Sequence, residues 1–222
     1  MSLANGLYIL NDYCPPAPAK EDDPLTKELK RLESTASDPI FAFLHRRDEN
    51  YSYQFMYHNV QSLQAHHEDL SCDQSFMHSD LLLLAETWSI RSDRFEFQDF
   101  KLCVETHSSL NRTRKPNGVC IYAKKHIDFQ GARAFPNYET GVHIAVVYLK
   151  NNIRFAVLYA KPGSTVDEIL DAVEEAVGDE CDEYQTILAG DFNINMNTED
   201  GRTFWEVLRD VYWLHLRTNT SH

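Results

Sequence analysis

The sequence predicts an α/β fold in which two packed mixed sheets are flanked by helices. From residue 51 onward the hydrophobic pattern alternates between strand spacing and helix spacing. Residues 81–84 are apolar at every position, as in a strand covered on both faces, whereas residues 166–177 repeat their apolar side chains at helical spacing. Strands that need cover on two faces and helices with one apolar face pack in layers, which predicts the α/β class.

Five stretches predict strands, because apolar and aromatic residues dominate them and polar segments separate them. Asn151 and Asn152 lie between two of these stretches, and Asn tolerates a positive φ, so a tight hairpin is predicted there. In chain order, the predicted strands are residues 53–57, 81–84, 144–149, 153–159 and 186–189.

Two helices are predicted in the second half of the chain. Thr165 and Glu168 have the spacing of a capping box, in which both side chains satisfy backbone N–H groups at a helix start. Apolar residues recur at helical spacing through residues 166–177, and a similar pattern follows in residues 204–212. Each helix therefore has one apolar face that can cover a sheet.

The first 50 residues differ from the rest of the chain. They contain a Pro-rich stretch at residues 15–18, an acidic patch at 21–23 and a short helical pattern over 25–32. Because Pro restricts the backbone, we predict a Pro-containing, acidic tail or linker over residues 1–50. The folded domain is predicted over residues 51–222.

The composition indicates an intracellular protein. Of 222 residues, 43% are hydrophobic and 25% are charged, which is enough for one well-packed domain. No window offers the run of about 18 apolar residues that a membrane span needs, and the N-terminus lacks a basic start followed by an apolar core. The five Cys residues are scattered without a C-x-x-C pair, which favours reduced thiols. We therefore predict no membrane anchor and no secretion.

The net charge of −13 argues against simple electrostatic binding of nucleic acid, because Lys and Arg supply the contacts to phosphates. Much of the acid is local, however, and clusters on and after the helix predicted to start at Thr165, where a solvated outer face is its common role. A basic group flanks the segment at residues 117–122 and either faces a phosphate backbone or keeps the protein soluble. Its members are Arg112, Arg114, Lys115, Lys124 and Lys125.

Three of the predicted strands lead directly into segments with polar side chains. Asn59 and Glu86 each follow an apolar stretch, and Gly-Asp-Phe-Asn at residues 190–193 follows another. Gly190 is expected to let the backbone turn sharply at that point. A plain turn explains any one of these motifs. Together they indicate a binding or catalytic site, because sheets of this class present functional side chains at strand ends.

The order of these motifs resembles the endonuclease/exonuclease/phosphatase superfamily. The resemblance spans residues 53–213 and is nearest to the apurinic/apyrimidinic-endonuclease-like domains of mobile elements, of the Helitron or non-LTR retrotransposon type. Residues 117–122 also resemble the Gly-containing strand that the family places between its Glu and Tyr motifs. In chain order, the residues that carry the resemblance are Asn59 in HNVQ, Glu86 in AETW, Tyr159 in LYAKP, and Asp191 with Asn193 in GDFN.

The resemblance implies a four-layer α/β sandwich and magnesium-dependent phosphodiester hydrolysis, with a DNA endonuclease of a mobile element as the nearest activity. It implies that Glu86 holds Mg²⁺, or Mn²⁺ in its place, and that Asp191 orients or deprotonates the attacking water. It also implies that Asn193, Asn59 and Tyr159 hydrogen-bond phosphate oxygens or position the other groups. Magnesium needs only one or two carboxylates beside substrate phosphate, which suits this set.

One part of the family's pattern is missing from the sequence. The family closes with a late Asp and an Asp-His pair, whose His contacts the scissile phosphate, and neither follows Asp191 here. We therefore expect a sandwich that is incomplete at its C-terminus, and little or no activity from this chain alone. A truncated or domesticated fold that acts as a binding module is the alternative from another class. Phosphatases of the same superfamily also share the core motifs.

The resemblance has consequences for partners and location. DNA is the expected substrate, which implies a nuclear protein. Residues 6–9 and the Pro-rich stretch after them weakly resemble the end of the helicase region in Helitron-type elements. That likeness implies a helicase region before this domain in a longer parent chain, although a plain leader is the simpler explanation.

Overall fold

The computed structural model describes residues 7–11, 53–91, 93–109, 115–150, 152–178, 183–195 and 197–212. The strands are β1 (Leu7–Asn11), β2 (Phe55–Asn59), β3 (Leu81–Ala85), β4 (Phe100–Glu105), β5 (Val119–Lys124), β6 (Phe129–Pro136), β7 (Val142–Leu149), β8 (Ile153–Ala160) and β9 (Gln185–Asp191). The helices are α1 (Leu63–Cys72), α2 (Gln74–His78), α3 (Val166–Val173), which continues into a π-helical turn at Glu174–Gly178, and α4 (Glu199–Tyr212).

The strands of the described residues form two mixed sheets. The five-stranded sheet has the order β1-β9-β8-β7-β6, in which β1, β9 and β8 are parallel and the other pairs are antiparallel. The four-stranded sheet has the order β2-β3-β5-β4, in which β2 and β3 are parallel. Parallel neighbours end at the same edge, so the four-stranded sheet brings the carboxyl ends of two strands together and the five-stranded sheet those of three.

The inner faces of the two sheets pack against each other. Leu83 of β3 and Ile121 of β5 belong to one buried cluster with Val157 of β8. The ring of Phe55 meets that of Phe155 across the same interface, with 5.2 Å between ring centroids. This cluster is the central core of the protein.

Helices cover the two outer faces. Leu82 and Leu84 alternate with the inward-facing residues of β3 and pack with Phe76 of α2, while on the other sheet Leu158 packs with Ile169 of α3. The four layers are therefore helices, four-stranded sheet, five-stranded sheet and helices, which confirms the predicted α/β sandwich. No helix of the described residues is long and apolar enough to cross a membrane.

Two local predictions are confirmed. Asn152 has a φ of 59° in the tight connection between β7 and β8, the conformation for which Asn was expected there. At the start of α3, Glu168 Oε2 accepts the backbone N–H of Thr165 at 2.8 Å, and Thr165 Oγ1 accepts the backbone N–H of Glu168 at 3.2 Å. The capping box is thus complete.

The expected sharp turn at Gly190 is wrong. Strand β9 runs through Gly190 to Asp191, and the turn comes at Asn193, whose φ is 50°. A side chain at position 190 would collide with the carbonyl oxygen of Leu158 in the neighbouring strand. Glycine is needed there because two strands approach closely, not because the chain turns.

One segment of the range predicted as a tail or linker is a strand. Leu7–Asn11 pairs in parallel with residues 186–190 of β9 and belongs to the same compact unit as the chain from residue 53 onward. The Pro-rich stretch, the acidic patch and the helical pattern over 25–32 lie outside the described residues, as does the chain after residue 212. The predicted boundary near residue 50 and the incomplete C-terminus stay predictions.

Candidate active site

Two polar side chains stand at the carboxyl ends of neighbouring strands in the four-stranded sheet. Asn59 is the last residue of β2 and lies opposite Ala85, the last residue of β3. Glu86 follows directly. Because the two strands are parallel, their ends lie side by side, and Asn59 Nδ2 donates a hydrogen bond of 2.9 Å to Glu86 Oε1.

The five-stranded sheet supplies a tyrosine and a second carboxylate in the same way. Tyr159 of β8 and Asp191 of β9 are opposite each other in the parallel register. Burial, and then the negative charges of Glu86 and Asp191, raise the pKa of the Tyr159 hydroxyl far above its usual value. The hydroxyl therefore stays a neutral O–H donor close to both carboxylates.

Asn59 joins the two sheets at this edge. Its Nδ2 also donates a hydrogen bond of 2.9 Å to Asp191 Oδ2, so one amide group contacts carboxylates from both sheets. Because both carboxylates reach the same nitrogen, they lie well within the distance of about 10 Å that a shared metal, water and phosphate require. Asn59 Oδ1 is buried without a hydrogen-bond partner among the described residues. A buried polar atom of this kind calls for a further partner, such as a water or a ligand.

Asn193 contacts the site through its backbone. Its N–H donates to Asp191 Oδ1 at 3.1 Å, while its side-chain Nδ2 donates to the carbonyl oxygen of Ala160 at 2.8 Å. The side chain thus ties the loop after β9 to the end of β8, and the backbone orients the carboxylate. Asn59, Glu86, Tyr159 and Asp191 come together at one edge, and Asn193 supports Asp191 from the adjoining loop.

Trp88 belongs to the same site, although the sequence analysis gave it no role. Its indole Nε1 donates a hydrogen bond of 3.3 Å to Glu86 Oε2. Glu86 and Trp88 have φ values of 50° and 51°, in the left-handed region. The available signal was an aromatic N–H donor two residues after the Glu of the AETW motif.

A buried histidine lies beside Tyr159 and was also missed. His143 of β7 is opposite Tyr159 in the antiparallel register, and its Nδ1 lies 3.0 Å from Thr106 Oγ1. Burial lowers the pKa of His143 to about 4, so the ring is neutral at pH 7. The signal in the sequence was a single His at the start of an apolar strand.

The predicted basic group does not form a single patch. Lys124 and Lys125 lie where β5 ends, which is the edge opposite the site because β5 runs antiparallel to β3. The Lys124 ammonium lies 4.9 Å from the centroid of the Phe100 ring. Lys115 is exposed in the loop that precedes β5 at the site edge, while Arg112 and Arg114 lie outside the described residues.

The residues at the site fit a hydrated magnesium ion better than a zinc ion. No group of three or more His, Cys, Asp or Glu side chains is placed to hold a metal in the described part of the chain. The site instead offers two carboxylates and an amide oxygen, all hard ligands. Magnesium keeps several waters and is usually bound through one or two carboxylates, so Glu86 alone is a sufficient protein ligand and Asp191 stays available beside it.

The two packed mixed sheets with flanking helices define the class of α/β sandwich folds. The chain belongs to the endonuclease/exonuclease/phosphatase family, whose model matches residues 54–221. Members of this family hydrolyse phosphodiester bonds as nucleases and phosphatases, and they generally use divalent metal ions.

Solved structures support the fold. The 3′ phosphatase NExo from Neisseria, solved with a product DNA hairpin, is 18% identical, with 72% of this chain and 71% of that chain covered and a TM-score of 0.51. The 3′–5′ exonuclease NExo from Neisseria meningitidis is 17% identical, with 71% of each chain covered and a TM-score of 0.51. No curated protein matches the chain in sequence.

Proposed function

We propose that this protein is a magnesium-dependent phosphodiesterase that acts on DNA. The observation that supports the proposal most is the Asn59 amide, which joins Glu86 and Asp191 beside the neutral hydroxyl of Tyr159. A phosphate diester is anionic and resists attack by water, so a catalyst must neutralise charge, align the water and stabilise the leaving oxygen. This edge carries groups suited to each task.

Glu86 is the proposed ligand of Mg²⁺, or of Mn²⁺ in its place, and the bound ion supplies positive charge to the phosphate. Asp191 accepts a proton from the attacking water while the water oxygen forms its bond to phosphorus. The bond from phosphorus to the leaving oxygen breaks, and the leaving oxygen takes a proton from solvent. Tyr159 donates its O–H to a phosphate oxygen, because its raised pKa keeps it protonated.

Asn59 and Asn193 act on Asp191 in this proposal. Each donates one N–H to a different oxygen of the Asp191 carboxylate. Two such bonds fix the plane of the carboxylate that accepts the proton of the attacking water. The unpaired Asn59 Oδ1 is available to a water or to a ligand of the metal.

DNA is the proposed substrate, and a mobile-element endonuclease is the proposed biological type. The sequence motifs HNVQSL at residues 58–63 and AETW at residues 85–88 support a mobile-element endonuclease. The Neisseria 3′ phosphatase was solved with a DNA product, which supports DNA as the substrate. The net charge of −13 disfavours non-specific binding, so we expect recognition to be confined to the site edge and loops such as that of Lys115. Action on DNA would imply a nuclear location, and the Helitron variant of this type would imply a helicase region before the domain in a longer parent chain.

A binding module without turnover is the second candidate. It is favoured by one observation, namely that no Asp-His pair follows Asp191 in these 222 residues. Loss of one donor to the transition state costs roughly 10²-fold or more in rate, so we propose that this chain alone turns over slowly. A further alternative is that the same site acts as a phosphatase of the same family.

Nicking of supercoiled plasmid DNA tests the proposal. The chain should nick slowly with Mg²⁺ and not with a chelator. Asp191→Asn should lower the rate at saturating Mg²⁺ by about 10²-fold or more, because it removes the proton acceptor. Glu86→Gln should instead raise the Mg²⁺ concentration that gives the half-maximal rate.

The matched control is Asp128→Asn, which makes the same chemical change at an exposed residue paired with Lys150. It should nick at the wild-type rate. If Asp191→Asn behaves like this control, the assigned chemistry is wrong. Magnesium binding that depends on Glu86 in a chain without detectable nicking supports the binding module instead.

A further inference from the structure

Both oxygens of the Glu86 carboxylate are held by N–H donors. Oε1 accepts the Asn59 amide at 2.9 Å, and Oε2 accepts the Trp88 indole at 3.3 Å. One donor leaves a carboxylate free to rotate about that bond, whereas donors at both oxygens fix its plane. The indole N–H is the only polar atom of the tryptophan side chain and acts only as a donor.

The backbone that carries these two side chains is strained. Glu86 and Trp88 both have left-handed φ values, 50° and 51°, which residues with a side chain adopt rarely. Such conformations cost free energy, persist only where the surroundings hold them, and cluster at functional sites.

Two loops hold this segment in place. The carbonyl oxygens of Glu86 and Thr87 each accept a backbone N–H at 2.9 Å from residues 62–63, which follow β2. On the other side, the N–H groups of Thr87 and Trp88 donate to residues 117–118 at 3.1 and 3.0 Å. The segment is therefore fixed on both sides, and the position of the indole relative to Glu86 is set by the fold.

We infer that Trp88 is a positioning residue, which orients the Glu86 carboxylate toward the divalent metal through its indole N–H. This inference rests on the proposed function, in which Glu86 is the metal ligand. Residues that orient a metal ligand through a hydrogen bond change metal affinity by roughly 10- to 100-fold when they are replaced. The role of Trp88 is thus visible in metal affinity before any turnover occurs.

The test is Trp88→Phe, which removes the N–H and keeps an aromatic ring. The matched control is Trp205→Phe, because Trp205 lies on α4 and packs against the helix-covered face of the five-stranded sheet. Mn²⁺ is titrated into each metal-free 222-residue chain, without nucleic acid, and free Mn²⁺ is followed by electron paramagnetic resonance. Thermal unfolding of each metal-free chain is measured in parallel.

We expect Trp88→Phe to raise the Mn²⁺ dissociation constant by about 10-fold or more, and Trp205→Phe to change it by less than about 2-fold. In nicking assays, Trp88→Phe should raise the half-saturating metal concentration more than it lowers the rate at saturating metal. A Trp88→Phe chain with wild-type Mn²⁺ affinity overturns the inference. Equal weakening by both substitutions also overturns it, since it indicates a general loss of structure.

Glu86→Gln in the same titration separates this inference from the proposed function. If Glu86→Gln binds Mn²⁺ like the wild type, the proposed metal site fails, and the role of Trp88 fails with it. If Glu86→Gln binds weakly while Trp88→Phe binds normally, the metal site stands and only the role of Trp88 is wrong.

Discussion

The two ends of the sheet sandwich differ in how their backbone is held. Seven non-glycine residues of the described chain have a positive φ. Two of them, Asp99 and Asn152, lie where β4 and β8 begin, at the end of the sandwich away from the site. Asp and Asn adopt this conformation at modest cost. The other five lie in loops at the site end, and they are Gln61, Ser62, Glu86, Trp88 and Asn193.

The interior of the same strands shows no such strain. Residues of β3 are fully buried and simply alternate, with Leu83 toward the central core and Leu82 toward the helices. Burial alone specifies this arrangement. The site end instead depends on hydrogen bonds between loops, which hold residues such as Glu86 in left-handed backbone conformations that they rarely adopt. The interior of β3 therefore specifies stability, and the loop that follows β3 specifies function.

Truncation of the interior should have the largest effect on stability. Leu83→Ala leaves a cavity between the two sheets, so it should lower the free energy of unfolding by about 2–5 kcal/mol. Urea denaturation without metal measures the loss. The folded variant should bind Mg²⁺ like the wild type, because Leu83 lies in the middle of β3 rather than in the loop that carries Glu86. A loss below about 1 kcal/mol would mean that the inner faces are not closely packed.

Acid should destabilise the protein through His143. The ordinary pKa of 6.5 applies to the unfolded chain, and burial lowers it to about 4 in the fold, so the fold favours the neutral ring. The stabilisation is present above about pH 6.5 and is lost as the pH falls toward about 4. Its full size is on the order of 3 kcal/mol.

His143→Gln isolates this effect in urea titrations between pH 7 and pH 4. The pKa of Glu105 is raised by burial and opposes the change, but it does so in both proteins. The stability difference between wild type and variant should therefore shrink as the pH falls. A difference that stays constant with pH would show that His143 does not titrate in the expected way.

Three glycine substitutions compare the site end with other surfaces. Gly118 has a φ of 90°, and a side chain there would lie 2.8 Å from Thr87 Oγ1. Gly163 has the same φ in open space, and Gly131 has open space without a positive φ. Gly118→Ala should cost roughly 2–3 kcal/mol, Gly163→Ala about 1 kcal/mol, and Gly131→Ala about 0.5 kcal/mol or less.

The affinity for Mg²⁺ should also distinguish Gly118→Ala from Gly163→Ala. Gly118→Ala pushes on Thr87, the residue between Glu86 and Trp88, so it should weaken binding, whereas Gly163→Ala should not. Equal stability and equal Mg²⁺ affinity in these two variants would show that the contact with Thr87 does not support the site.

The sequence predicted most of the fold because burial on two faces leaves a clear pattern. Continuous apolar runs marked β3 and β9, and a capping box marked the start of α3. Strands β1, β4 and β6 and helices α1 and α2 were not predicted, and β1 shows one reason, because its apolar stretch is short and its partner β9 lies far along the chain. Pairing between distant segments leaves no local signal.

The positions of the site residues were predicted from motif order, whereas their contacts were not. That Asn59 and Glu86 follow strands is visible in the sequence, but the amide that joins Glu86 to Asp191 depends on how two sheets pack. The role of Trp88 depends on left-handed backbone that no apolar pattern encodes. The roles assigned to the site residues stay predictions until metal binding is measured.

Calorimetric titration of Mg²⁺ into the metal-free chain tests the central claim most directly. The claim is that the site end holds a divalent metal through Glu86, between the two sheets. Glu86→Gln should weaken the Mg²⁺ site by about 10-fold or more. Glu168→Gln, which removes the same charge while Gln can still complete the capping box of α3, should bind like the wild type. Wild-type Mg²⁺ binding by Glu86→Gln would contradict the account.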